Sequence, residues 1–64
     1  MYKRIRELRE RKGLTQKEVA GVLGMSQPGY AKYETGENDP PTHVLLKLAD
    51  FYETSVDYLL DRTE

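Results

Sequence analysis

Apolar residues recur along this chain at intervals of three and four, and no stretch alternates with a period of two. That pattern predicts helices and no strand. In the first, over about residues 2–12, Ile5, Leu8 and Arg9 share one stripe, and Gly13 supplies a left-handed stop. The second opens at Thr15, where "TQKE" has the form of a capping box: the Thr15 hydroxyl accepts from the Glu18 amide while the Glu18 carboxylate reaches back. Val19, Ala20 and Leu23 form its stripe, and Gly24 ends it. The third opens at Ser26, a good N-cap, runs to about Thr35 and stops at Gly36. "GENDPP" cannot continue a helix. The fourth begins near Thr42 and turns Leu45, Leu48, Ala49 and Tyr52 inward. The fifth follows Ser55 and carries Val56, Tyr58, Leu59 and Leu60.

Only Gly24 and Met25, plus the cap, join the second and third helices. So short a connection sets two helices at a steep angle, the helix-turn-helix unit. Ala20 is small where the helices cross, and Gly24 suits a turn that needs positive φ. Val19, Leu23, Met25, Tyr30 and Tyr33 fall where a core is expected. Removing these from the third helix leaves Gln27, Pro28, Ala31, Lys32 and Thr35 on one continuous outward face. Gln27 can pair with an adenine edge, Lys32 can reach a guanine edge or a phosphate, and Ala31 suits a thymine methyl. The amides opening the second helix, with Gln16 and Lys17, can hold a phosphate. An ordinary solvated face of a small bundle would show the same spacing.

Pro28 and Gly29 are poor helix formers on this face. With Ser26 as N-cap, Pro28 lies in the first turn, where its missing amide has no intrahelical partner. Gly29, also in that turn, would let the backbone approach a groove floor or phosphate. Reading then rests chiefly on Gln27 and Lys32, with Ala31 and Thr35 secondary. Gly29→Gln is expected to alter sequence preference more than stability.

At 64 residues the chain is one domain at most. It has no cysteine and one histidine, His43, which excludes disulfides, thiol chemistry, Cys-based zinc sites and a triad. No metal, cofactor or small-molecule ligand is expected, and no paired titratable groups suggest an enzyme. No apolar run approaches the ~18 residues of a membrane span, and the basic start lacks a signal peptide's apolar stretch. A cytoplasmic, nucleoid-associated location is the expectation. Net charge is −1 but uneven. Residues 1–12 carry +4, 13–36 carry 0, and 37–64 carry −5. A polyanion is expected to approach such a dipolar molecule from one side.

The string "LTQKEVAGVLGMSQ…Y..YE.G…P…LLKLADFY..S.DYLL" resembles the phage-repressor-like helix-turn-helix family (lambda repressor and Cro, also called the xenobiotic response element family), over about four-fifths of the chain. The resemblance implies an all-α, five-helix, lambda-repressor-like domain that binds double-stranded DNA. It implies a transcriptional regulator, a repressor, dimeric on a two-fold operator. Its third helix would read the major groove from Ser26, Gln27, Pro28, Gly29, Ala31, Lys32 and Thr35. Thr15, Gln16 and Lys17 would support a phosphate contact, and Asn38 lies in a loop that meets the backbone. The resemblance also pairs Arg9 with Glu34. Physically, Glu34 sits near a helix C-terminus, where the dipole disfavours a carboxylate and a cation is needed. The exposed part of the fifth helix, with Tyr58, Leu59 or Leu60, is the candidate dimer contact, core packing being the other reading of those residues.

The chain departs from the family pattern at Pro28 and Gly29, at Thr42, at Glu53 and Thr54, and in the loop after Gly36. That loop is usually basic, whereas here Glu37 and Asp39 stand near where phosphates would lie. The acidic loop leaves a second reading open, a protein-interaction module (antitoxin-like or an anti-repressor target) with weakened DNA binding.

Overall fold

The computed structural model describes residues 2–61. Five helices follow one another: α1 (Lys3–Arg11), α2 (Gln16–Leu23), α3 (Gln27–Thr35), α4 (Thr42–Phe51) and α5 (Val56–Leu59). No strand occurs among the described residues, and no helix is long and apolar enough to cross a membrane.

Local chemistry sets the boundaries. The capping box closes at Thr15: its hydroxyl accepts from the Glu18 amide at 3.1 Å, and the Glu18 carboxylate accepts from the Thr15 amide at 2.9 Å. Ser26 accepts from the Gly29 amide at 3.2 Å and Ser55 from the Tyr58 amide at 3.0 Å. α1 is one residue shorter at each end than expected, because Tyr2 and Lys12 serve as its caps. α5 stops at Leu59, with Leu60 as its cap. Gly24, at φ +70°, makes the tight turn between α2 and α3. α4 ends less comfortably. Glu53 holds the left-handed position at φ +54° so that the Thr54 amide can reach the Ala49 carbonyl at 2.9 Å.

Ile5, Val19, Ala20, Leu23, Tyr30, Val44, Leu45, Leu48, Ala49, Tyr52 and Leu59 form one continuous core. Each fully buried Ile or Leu among them contributes about 1.5–3 kcal/mol. Met25 and Tyr33 pack against this core without being fully enclosed. Val44 was not expected inside, and Pro40, from the loop before α4, is buried as well. Leu59 is 1% exposed. It is a core residue and offers no surface to a second protomer, which removes it from the expected dimer contact.

Candidate nucleic-acid interface

The positioning of α3 begins beneath it. Tyr30 is fully buried, and its ring meets that of Tyr33 edge-on, with centroids 6.5 Å apart. With one side of α3 anchored in this way, Gln27, Pro28, Lys32 and Thr35 are exposed and Ala31 is half-buried. Thr15, Lys17 and Ser26 are exposed on the adjoining edge of α2 and the turn, and Gln16 is half-buried there. Ten of the eleven expected contact residues thus lie along α3 and the start of α2. Asn38 is exposed in the loop beyond, and its backbone amide turns back to the Lys32 carbonyl at 3.2 Å.

Beneath this surface lies a buried polar cluster. Arg9 donates to both Glu34 oxygens, Nε to Oε2 at 2.7 Å and Nη2 to Oε1 at 3.2 Å. Its Nη1 donates to the Leu14 carbonyl at 2.8 Å, which fixes the α1–α2 turn. The Tyr30 hydroxyl donates to Glu34 Oε2 at 2.5 Å, and Gln16 Nε2 donates to Oε1 at 3.0 Å. Burial alone would raise the Glu34 pKa, but the hydrogen bonds from Arg9, Tyr30 and Gln16 outweigh it and hold the carboxyl below its ordinary value. Burial, then the hydrogen bond to Glu34, pushes the Tyr30 hydroxyl well above the ordinary range.

Gln16 and Gln27 are not independent. Gln27 Nε2 donates to Gln16 Oε1 at 2.7 Å. The phosphate-contact reading of Gln16 is narrowed by this, because one amide hydrogen and the carbonyl oxygen are committed internally. At the start of α2, the Glu18 amide is taken by Thr15, so the backbone donors open to an anion there are those of Gln16 and Lys17, among the described residues. At the other end of the face, the Thr35 hydroxyl lies 3.4 Å from the Glu37 carboxylate, which sets a negative charge beside Thr35.

The geometry bears on two further expectations. A Cβ added to Gly29 would lie 3.1 Å from Ser26 Oγ and 3.2 Å from Met25 Cε. A side chain there must displace the Ser26 hydroxyl and the Met25 methyl by a few tenths of an ångström, so Gly29→Gln engages the N-cap itself. The charge of α1 is also less available than its count implies. Arg4 donates to Asp61 Oδ1 at 2.9 Å and stacks on Tyr58, 4.7 Å from the ring centroid. Arg9 is committed to Glu34, and Arg6 lies 3.5 Å from Glu10. The basic first helix thus rests partly against the acidic end of the chain, and the charge separation read from the sequence is reduced. Sequence reasoning missed the contacts of Arg4 with Tyr58 and Asp61, which lie 54 and 57 residues away with no local signal.

A family model described as "Helix-turn-helix" matches residues 5–59. The chain is 44% identical over 62 residues to the HTH-type transcriptional regulator ImmR of Bacillus subtilis, covering 97% of this chain and 49% of that protein. It is 44% identical over 48 residues to the cryptic phage CTXphi transcriptional repressor RstR of Vibrio cholerae, covering 75% of this chain and 43% of that protein. The chain spans about half the length of the curated relatives it matches. Its fold superposes on the P22 c2 repressor, solved in complex with a synthetic operator, with a TM-score of 0.86, at 30% identity and over 95% of this chain and 92% of that one.

Proposed function

The chain belongs to the helix-turn-helix family, and from that premise we propose that it is a sequence-specific, double-stranded-DNA-binding transcriptional regulator acting as a repressor. The observation that carries the proposal is the outward face of α3. Gln27, Lys32 and Thr35 stand clear, with Ala31 half-buried among them, on a helix whose other side is pinned by Tyr30 and by the Glu34 cluster. An α-helix with its side chains is about 10–12 Å across, which matches the ~12 Å width of the major groove.

In that seating Gln27 meets an adenine edge, Lys32 a guanine edge or a phosphate, and Ala31 a thymine methyl. The Gln16 and Lys17 amides, with the Lys17 ammonium, receive a backbone phosphate and fix the register of α3. The protein binds as a homodimer, so that two α3 helices meet half-sites about one DNA turn apart. Tyr58 of α5 and its cap Leu60 retain surface for that contact. The solved repressor–operator neighbour supports this reading.

The acidic loop favours a second reading, a protein-interaction module. Selection of duplexes from a random pool separates the two. A regulator enriches a two-fold sequence, and its affinity falls as salt rises in proportion to the phosphates contacted. An interaction module enriches nothing, even at about 50 mM salt, where electrostatic binding is strong.

A further inference from the structure

We propose that Glu37 is a specificity-determining residue that accepts a hydrogen bond from the amino group of a cytosine in the major groove, an inference that rests on the DNA-reading role of α3. Glu37 is held in place although its loop is exposed. The Gly36 and Asn38 amides both return to the Lys32 carbonyl, at 3.1 and 3.2 Å, and fold the chain back against the end of α3. The Glu37 amide donates to the Thr35 hydroxyl at 3.4 Å, and the Glu37 carboxylate lies 3.4 Å from the same oxygen. Glu37 thus extends the outward face of Gln27, Lys32 and Thr35 by one more polar group.

Thr35 itself has little to offer a base. Its hydroxyl carries one hydrogen, and the nearer acceptor is the Lys32 carbonyl at 3.2 Å. Stability does not account for the carboxylate beside it. The end of a helix disfavours a negative charge, and no cation pairs with Glu37 among the described residues. An ionised carboxylate only accepts hydrogen bonds. Phosphate oxygens, guanine O6 and N7, and thymine O4 are all acceptors and offer it nothing. The donors in the groove are the amino groups of adenine and cytosine. Adenine sets N7 beside its amino group, against the second carboxylate oxygen, whereas cytosine presents only the donor. Thr35 lies eight residues beyond Gln27. That is about 12 Å along the helix, so the cytosine falls within about four base pairs of the base that Gln27 meets.

Wild type, Glu37→Gln and Asp39→Asn each select duplexes from a random pool, and titrations then place every base at each position of the selected duplex. Glu37→Gln keeps the side-chain shape, but its amide donates as well as accepts. Asp39→Asn removes the same charge from an exposed position further along the loop. The wild type is expected to favour cytosine at one position by about fivefold or more, and Glu37→Gln to reduce that preference to about twofold or less. Asp39→Asn is expected to retain it. An undiminished cytosine preference in Glu37→Gln, or no such position in the wild type, overturns the inference and leaves DNA reading by α3 intact. Equal tightening of every duplex by Glu37→Gln shows that Glu37 meets only phosphates, and overturns it too. Loss of the preference in Asp39→Asn as well assigns the effect to net charge and overturns the role of Glu37. A wild type that selects no duplex overturns the functional reading, and this inference with it.

Discussion

Arg9 grips Glu34 with two prongs, at 2.7 and 3.2 Å, across 25 residues of chain. The carboxylate also receives Tyr30 from α3 and Gln16 from α2, so three helices meet at one charge. Removing Glu34 leaves a guanidinium that is only 13% exposed without its counter-ion. Glu34→Ala is therefore expected to lose about 3–5 kcal/mol of stability, the range for breaking a buried pair. A chemical melt within about 0.5 kcal/mol of wild type, the range of an indifferent surface substitution, would refute the structural role.

The same cluster sets an acid limit. The hydrogen bonds to Glu34 hold its carboxyl below the ordinary 4.5 in the folded protein. A depressed folded pKa gives stability that is fully present above the unfolded value and is lost as pH falls through the folded one. Stability should thus be flat in this contribution from pH 7 to about 5 and decline below that. Thermal melts of wild type and Glu34→Gln across that range supply the check. Their difference is expected to shrink toward acid, and a constant gap down to pH 2 would be inconsistent with this.

Two glycines, one within α2 and one at its C-cap, make opposite predictions. Gly21 lies in the helix interior at negative φ, with no atom within 4 Å of an added Cβ. Gly21→Ala is expected to stabilise by about 0.5–1 kcal/mol through helix propensity and a less flexible unfolded chain. Gly24 also has open space around it, but its φ is +70°. Gly24→Ala is expected to destabilise by about 1–2 kcal/mol from backbone strain alone. Denaturant midpoints shifting in the same direction for both variants would contradict the role of backbone geometry here.

Tyr52 fills the core with its ring, yet its hydroxyl is buried with no hydrogen-bond partner among the described residues. Burial pushes its pKa up to about 12. An unpaired buried hydroxyl costs about 1–3 kcal/mol. Tyr52→Phe is accordingly expected to match or exceed wild-type stability, and a loss above about 1 kcal/mol by calorimetry would reveal a partner for that hydroxyl.

Those features of the fold that depend on neighbouring residues were legible in the sequence. Thr15, Ser26 and Ser55 cap where their spacing says they should, and Gly24 and Gly36 turn with positive φ. Runs of adjacent apolar residues were harder to read. In "VLLKL" Val44 and Leu45 are buried while Leu46 is 53% exposed, and in "DYLL" only Leu59 is fully inside. A stripe read at 3.6 residues per turn does not decide between neighbours when the helix is short and its packing partner is unknown. At the site, the exposed members of α3 followed from removing the core positions. The Gln16–Gln27 hydrogen bond did not, because the two side-chain amides lie 11 residues apart on different helices and no local spacing signals their contact. The Arg4–Asp61 contact was beyond reach for the same reason.

The central claim is that α3 reads DNA through Gln27 and Lys32. Its most direct test is the affinity of Gln27→Ala and Lys32→Ala for the duplex that the wild type selects, measured by titration alongside the melting temperature of each variant. Each variant is expected to bind that duplex about tenfold or more weakly, as the loss of a good base or phosphate contact requires, while melting at the wild-type temperature. Wild-type affinity in both variants would contradict the claim.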